Sequence, residues 1–167
     1  GNVFQGVTTI TNSGSGYLLT GNTNADQFGA TTTFNVTGSG RLHLAQNHGG
    51  QTTTFASDVT FNSNKSGAVD QWGILFCEGT NTAVTFGGNL TIQNAGSFRS
   101  DSRFLNGVGS TAVYSGTVTV NVTNTNSATV QNMGTNGQST FNENIIVSNS
   151  GGANGVYFNS GATGSST

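Results

Sequence analysis

One short unit recurs six times along the chain: an aromatic residue followed by a strand-forming pair four and six positions later. Phe55 leads Val59 and Phe61, Phe86 leads Leu90 and Ile92, Tyr114 leads Val118 and Val120, and Phe141 leads Ile145 and Val147. Two earlier copies carry Thr at +4: Phe4 with Thr8 and Ile10, and Phe28 with Thr32 and Phe34. The anchors at 4, 28, 55, 86, 114 and 141 are spaced by 24, 27, 31, 28 and 27 residues. Alternation at +4 and +6 is the period of a strand with one buried face. The residue at +5 should therefore face water. It is Thr9, Thr33, Thr60, Thr91 and Thr119, then Ile146, and Thr suits a pleated surface because it is β-branched. Asn or Gln follows at +7 or +8 (Asn12, Asn35, Asn62, Gln93 with Asn94, Asn121, Asn149). Such side chains tolerate left-handed backbone and are expected to end the strand.

Each copy then continues through a Gly/Ser/Asn stretch to a second apolar cluster. These clusters are Tyr17 to Leu19, Leu42 with Leu44, Trp72 to Phe76, Phe98 with Phe104 and Leu105, Val130 with Met133, and Val156 to Phe158. A repeat is thus two or three short strands joined by turns. Frequent Gly, Thr and Asn disfavour helix throughout. A helix-free unit of this size cannot bury its apolar face alone and must stack on its neighbours. The expected fold is an all-β, right-handed parallel β-helix, a β-solenoid of about six rungs of about 27 residues. Residues 1–167 form one domain, with the anchors as an inner column and the hand taken from the general preference of parallel crossovers. An antiparallel sandwich is the structural alternative, since it too is built from short strands with turn signals. It does not, however, require equivalent residues to recur at this spacing.

Composition narrows the function. Only 6% of the residues are charged and the formal net charge is −2. The four cations, Arg41, Lys65, Arg99 and Arg103, are too few for a phosphate-neutralising patch, so no nucleic-acid partner is expected. Ordinary disorder pairs low hydrophobicity with high net charge, which this chain lacks. No apolar run approaches the roughly 20 residues of a membrane helix, so no membrane insertion is expected. The single Cys77 reads as a small buried hydrophobe, since nothing beside it supplies a base or an electropositive setting.

The chemistry-bearing residues gather in the middle. Lys65, Asp70, Glu78, Arg99, Asp101 and Arg103 are six of the ten charged residues, and the only Trp, Trp72, lies among them. Asp70 and Asp101 share the offset +15 from Phe55 and Phe86, so they are expected on adjacent turns, with Arg99 or Arg103 paired to them. A Trp beside paired polar groups suits sugar binding, by stacking and hydrogen bonds. The bland reading is a loop bulge closed by a salt bridge, with Trp72 as a core or cap residue. Asp70 and Asp101, with Glu78 as a spare, also supply the two carboxylates that glycosidic chemistry needs. Fold analogy is a weak warrant for that role, and no catalytic residue is assigned. The Thr column raises ice binding, against a mixed +3 column of Val7, Thr31, Asp58, Asn89, Thr117 and Asn144. His43 and His48 lack acidic partners close in sequence, so no metal site and no cofactor is expected. Asn35, Asn64, Asn89 and Asn121 match the N-x-[ST] pattern, expected by chance in Asn/Thr-rich text.

The segments TFASDVTFNS, TFGGNLTIQN and TFNENIIVSNSGGANGVYF resemble the repeats of large secreted β-helix adhesins and filamentous surface proteins of Gram-negative bacteria, most nearly those of gliding and related Bacteroidetes. The resemblance implies export, attachment to the cell surface and a stalk or adhesive role; it carries no catalytic motif. The expected partners are the next copy, by end-to-end stacking or by continuation within a longer chain, and surface glycans. No export signal is read at residue 1, so the sequence is expected to be a stretch of something longer.

Overall fold

A computed structural model describes residues 1–46, 49–67, 69, 71–134, 136–152, 155–158 and 165–166. The strands fall into three parallel sheets. Sheet A contains β1 (Val3–Phe4), β4 (Gln27–Phe28), β7 (Thr52–Phe55), β10 (Ala83–Phe86), β13 (Thr111–Tyr114), β16 (Gln138–Phe141) and β19 (Ser165–Ser166). Sheet B contains β2 (Thr8–Asn12), β5 (Thr32–Val36), β8 (Val59–Ser63), β11 (Leu90–Asn94), β14 (Val118–Val122) and β17 (Ile145–Asn149). Sheet C contains β3 (Tyr17–Thr20), β6 (Arg41–Leu44), β9 (Trp72–Phe76), β12 (Asp101–Phe104), β15 (Val130–Asn132) and β18 (Gly155–Tyr157). Each strand pairs with its counterpart one tier away, so the chain is a β-solenoid with three strands per turn. Among the described residues there is no helix and every strand pairing is parallel, which removes the sandwich.

The anchor aromatics end the sheet A strands and stack in one continuous file. Phe4–Phe28, Phe28–Phe55, Phe55–Phe86, Phe86–Tyr114 and Tyr114–Phe141 have ring centroids 4.7, 4.7, 5.1, 5.1 and 4.6 Å apart, all within 10° of parallel. That separation is close to the spacing of neighbouring strands, about 4.8 Å, so equivalent rings meet face over face. Shorter stacks line the other walls: Phe34 on Phe61 in sheet B and Phe76 on Phe104 in sheet C. The stacks meet edge-on, as in Phe61 against Phe76 and Phe104. Burying each such ring stabilises by about 1.5–3 kcal/mol, and well-oriented aromatic pairs add about 0.5–1.5 kcal/mol.

The +4 and +6 residues point inward, and the Thr residues at +5 form an outer column in register from Thr9 to Thr119. The Asn and Gln residues divide into two sets rather than simply ending strands. Asn35, Asn62 and Asn121 lie on the outer face, one residue before the strand ends. There Asn35 Nδ2 donates to Thr11 Oγ1 and Asn62 Nδ2 donates to Asn35 Oδ1 at 3.2 and 2.9 Å. Asn12 and Asn94 point inward at the last strand position and tie the strand end to the segment that leads into sheet C. Asn12 Nδ2 donates to the carbonyls of Gly16 and Arg41, and Asn94 Nδ2 to that of Ser100.

The chain leaves sheet C through a left-handed residue in four successive tiers: Gly21, Ala45, Cys77 and Leu105, with φ of 59°, 51°, 54° and 55°. Their N–H groups still reach across the ladder, Ala45 to Thr20 O, Cys77 to Leu44 O and Leu105 to Phe76 O. For a residue with a Cβ this conformation costs about 1–2 kcal/mol. Burying one methyl returns about 0.8 kcal/mol. Gly also loses about 0.5–1 kcal/mol more chain entropy on folding, so Ala45→Gly should leave the urea-unfolding free energy within about 1 kcal/mol of wild type. Ala45→Val, β-branched at positive φ, should lower it clearly.

Candidate functional site

Alternation along sheet C sends Leu42, Leu44, Ile74, Phe76 and Phe104 into the core and their neighbours outward. Tyr17, Arg41, His43, Trp72, Asp101 and Arg103 all stand on that outer side. The outer columns of sheet B are instead mostly Thr and Asn. The aromatic and basic chemistry is thus concentrated on one of three faces.

Tyr17, Arg41, Trp72 and Arg103 occupy four consecutive tiers, so aromatic and cationic side chains alternate along the solenoid axis. The Arg41 guanidinium lies 4.0 Å from the Tyr17 ring centroid and the Arg103 guanidinium 4.2 Å from that of Trp72. The attraction of a guanidinium for a ring face is worth about 0.5–1 kcal/mol at an exposed site. Leu75, outward but buried, sits between His43 and Arg103 in register. His43 is buried beside it, its Nδ1 2.6 Å from Glu78 Oε2, which also accepts a bond from Gln46 Nε2 at 3.2 Å.

A β-bulge places Trp72. Asp101 pairs with Trp72 while Ser102 pairs with Ile74, leaving Gly73 as the extra residue. A Cβ at Gly73 would crowd the buried hydroxyls of Ser63 and Ser100, which are hydrogen-bonded to each other. The bulge re-aims the neighbouring side chain, as bulges do. The Trp72 carbonyl accepts a 2.8 Å bond from the Nζ of Lys65, a buried lysine.

Asp101 is 2% exposed, and both its oxygens are engaged. Arg99 grips it through Nε at 3.1 and 3.2 Å and Nη2 at 2.7 Å, and the Val130 N–H donates to Oδ1 at 3.0 Å. The Asp101 carboxylate in turn holds the Arg99 guanidinium above its already high pKa. Asp101 is a brace between its own turn and the next strand.

The expectations on this region divide. Arg99 pairs with Asp101 as expected, within one turn. Arg103 stacks on Trp72 and, among the described residues, forms no ion pair. Trp72 is half-buried on the outer face and is not a core residue. Asp101 pairs in register with Trp72. The longer turn before β9 breaks the count: Trp72 stands at +17 from Phe55, its partner Asp101 at +15 from Phe86. Asp70 itself, like His48, lies outside the described residues. Arg41 and Tyr17 were missed, although both stand at +13 from their anchors, Phe28 and Phe4. His43 was read as an outward strand residue and is one, but it is covered.

Cys77 is fully buried, and burial pushes its thiol up to about 12. It stays protonated and packs as an apolar group. Among the described residues no three of His, Cys, Asp and Glu are grouped so as to hold a metal ion. Compared with protein-family models, curated proteins and solved structures, the chain matches none.

Proposed function

We propose that this chain is a structural and adhesive β-solenoid of the cell exterior, a segment of a stalk or filament. The observation that carries the reading is the uninterrupted file of stacked rings from Phe4 to Phe141, which makes the molecule an axial rod. Its candidate carboxylates support the same reading, because Asp101 and Glu78 serve as struts against Arg99 and His43. At β17 the inner positions Ile145 and Val147 are 41% and 46% exposed, whereas Val118 and Val120 one tier earlier are buried. Exposed apolar residues on a strand edge are a template for a further strand. A next tier stacks there, from the same polypeptide or from another copy.

A second reading, recognition of surface glycans, is favoured by the alternating Tyr17, Arg41, Trp72 and Arg103 strip. Aromatic faces stack on sugar rings, and guanidinium edges donate hydrogen bonds. One set of preparations tests both. Purified chain should form elongated, concentration-dependent assemblies in sedimentation and negative-stain microscopy, and Val147→Lys should abolish them. Compact particles at every concentration would remove the stacking claim. On a glycan array, binding that survives Trp72→Ala, or no binding by either protein, would remove the glycan reading.

A further inference from the structure

We propose that the outer strip of sheet C selects acidic polysaccharides, polymers whose sugar rings carry a carboxylate, over neutral ones, a claim that rests on the glycan reading of the same strip. The chain sorts its charges by face. All four cations, Arg41, Lys65, Arg99 and Arg103, lie in sheet C strands or in the segments that lead into them. Three carboxylates, Asp70, Glu78 and Asp101, share that stretch of sequence, and the other three, Asp26, Asp58 and Glu143, lie elsewhere with no Lys or Arg beside them. Asp26 is buried one residue before β4, and Asp58 and Glu143 stand in the turns that enter sheet B. A chain of net charge −2 thus gathers its positive charge at sheet C.

Several of these groups are already engaged with one another. Asp101, 2% exposed, is gripped by Arg99. Glu78 faces His43 and accepts from Gln46. Lys65 is buried and donates to the Trp72 carbonyl. Arg41 and Arg103 are half-buried and reach the surface, each with its guanidinium over a ring, at 4.0 and 4.2 Å. Stacking occupies the face of a planar guanidinium and leaves the N–H donors directed outward from its rim. Arg103 is the strongest candidate contact, because among the described residues it forms no ion pair and Trp72 supports it from one side. A carboxylate matches that rim with two parallel hydrogen bonds, a geometry to which Arg is suited and Lys is not.

The strip is also linear. Arg41 stands in the second tier and Arg103 in the fourth, about 10 Å apart along the axis at two strand spacings. Trp72 occupies the tier between them. An extended acidic polysaccharide presents matching chemistry along its length, apolar ring faces and carboxylates in turn. A neutral polysaccharide would use the aromatic rings and leave the guanidinium charge unanswered. A nucleic acid carries a phosphate on every nucleotide and needs a broader basic patch than two arginines set two tiers apart.

The test is binding of the 167-residue chain to polygalacturonate, alginate and hyaluronate in calcium-free buffer, measured by calorimetry. Fully methyl-esterified polygalacturonate is the control, since it keeps the sugar and loses the charge. The free acid should bind about tenfold more tightly than the ester, the scale of a charge-assisted hydrogen-bonded pair, and added salt should narrow the difference. Arg103→Gln should remove most of the preference and Arg41→Gln part of it. Both change surface side chains, and if Arg103→Gln does not fold, Arg41→Gln carries the test. An unchanged preference in the folded variant would overturn the proposal. Equal affinity for acid and ester, lost in Trp72→Ala, would overturn selection by charge while the glycan reading stands. Equal affinity for a single-stranded oligothymidylate would mean general attraction of anions and would overturn it as well. So would failure to bind any of the three acidic polymers, and the glycan array then decides separately whether neutral sugars bind.

Discussion

Phe86→Ala should destabilise the solenoid by about 3–5 kcal/mol, the cost of emptying a well-packed aromatic site. Phe86 is fully buried, stacked on Phe55 and Tyr114 at 5.1 Å each and tilted against Phe76 at 5.8 Å. Tiers on either side are already fixed by their own ladders, so the wall cannot collapse far into the gap. Position within the file matters as much as chemistry. In a stacked repeat each unit contacts only its neighbours, and stability is a sum of unit and interface contributions. A lesion in the fourth of six rings weakens the coupling between two blocks, whereas Phe4, partly exposed and stacked only on Phe28, ends the file. Phe4→Ala should cost about 1 kcal/mol, closer to the transfer of part of a ring than to a cavity. Urea unfolding followed by Trp72 fluorescence measures both. Equal losses at the two positions would mean that the file is not the axis of stability.

The file was legible because its signal is redundant. Six copies of one spacing fix the strand that follows each anchor, and from it the parallel register. What was not legible has local causes. Counting from an anchor presumes equal tiers, but the extended turn before Trp72 puts Trp72, at +17 from Phe55, beside Asp101, at +15 from Phe86. The left-handed corners at Ala45, Cys77 and Leu105 bear no Gly, so no turn residue marks them. Asp26 occupies an inward position that hydrophobic patterning skips, because a polar residue there reads as loop. The strip on sheet C was half legible. Trp72 and Arg103 drew notice as a charged, aromatic centre, while Tyr17 and Arg41 share an offset that appears only when both turns are compared.

The same blindness to inward polar residues explains why Asn124 drew no notice, yet its substitution should rival Phe86→Ala. Asn124 is fully buried in the turn after β14. Its Nδ2 donates toward Asn94 Oδ1 at 3.2 Å and the carbonyls of Ala95 and Phe98 at 2.9 and 3.0 Å. Its Oδ1 accepts from the Asn126 N–H at 2.8 Å and Thr129 Oγ1 at 3.3 Å. Asn124→Ala orphans buried groups at about 1–3 kcal/mol each, for a loss of about 3 kcal/mol. Asn124→Asp preserves shape and reverses one side: three acceptors then face an oxygen that cannot donate when ionised. At pH 7 its cost should exceed that of the Ala variant, because an unpaired charge is buried among acceptors. The pH dependence follows in sign. Burial and facing acceptors raise the introduced carboxyl above its unfolded value of about 3.9, so the folded state binds the proton more tightly. The penalty is then smallest below about pH 4, because a protonated Asp is neutral and still donates one of the amide's two hydrogen bonds. It grows as pH rises from there to the raised folded value, and is constant above it. Urea unfolding at pH 4 and pH 7, each referred to wild type at the same pH, should show the larger deficit at pH 7. A deficit independent of pH would mean that Asn124 does not hold this turn by donating to the tier beneath it.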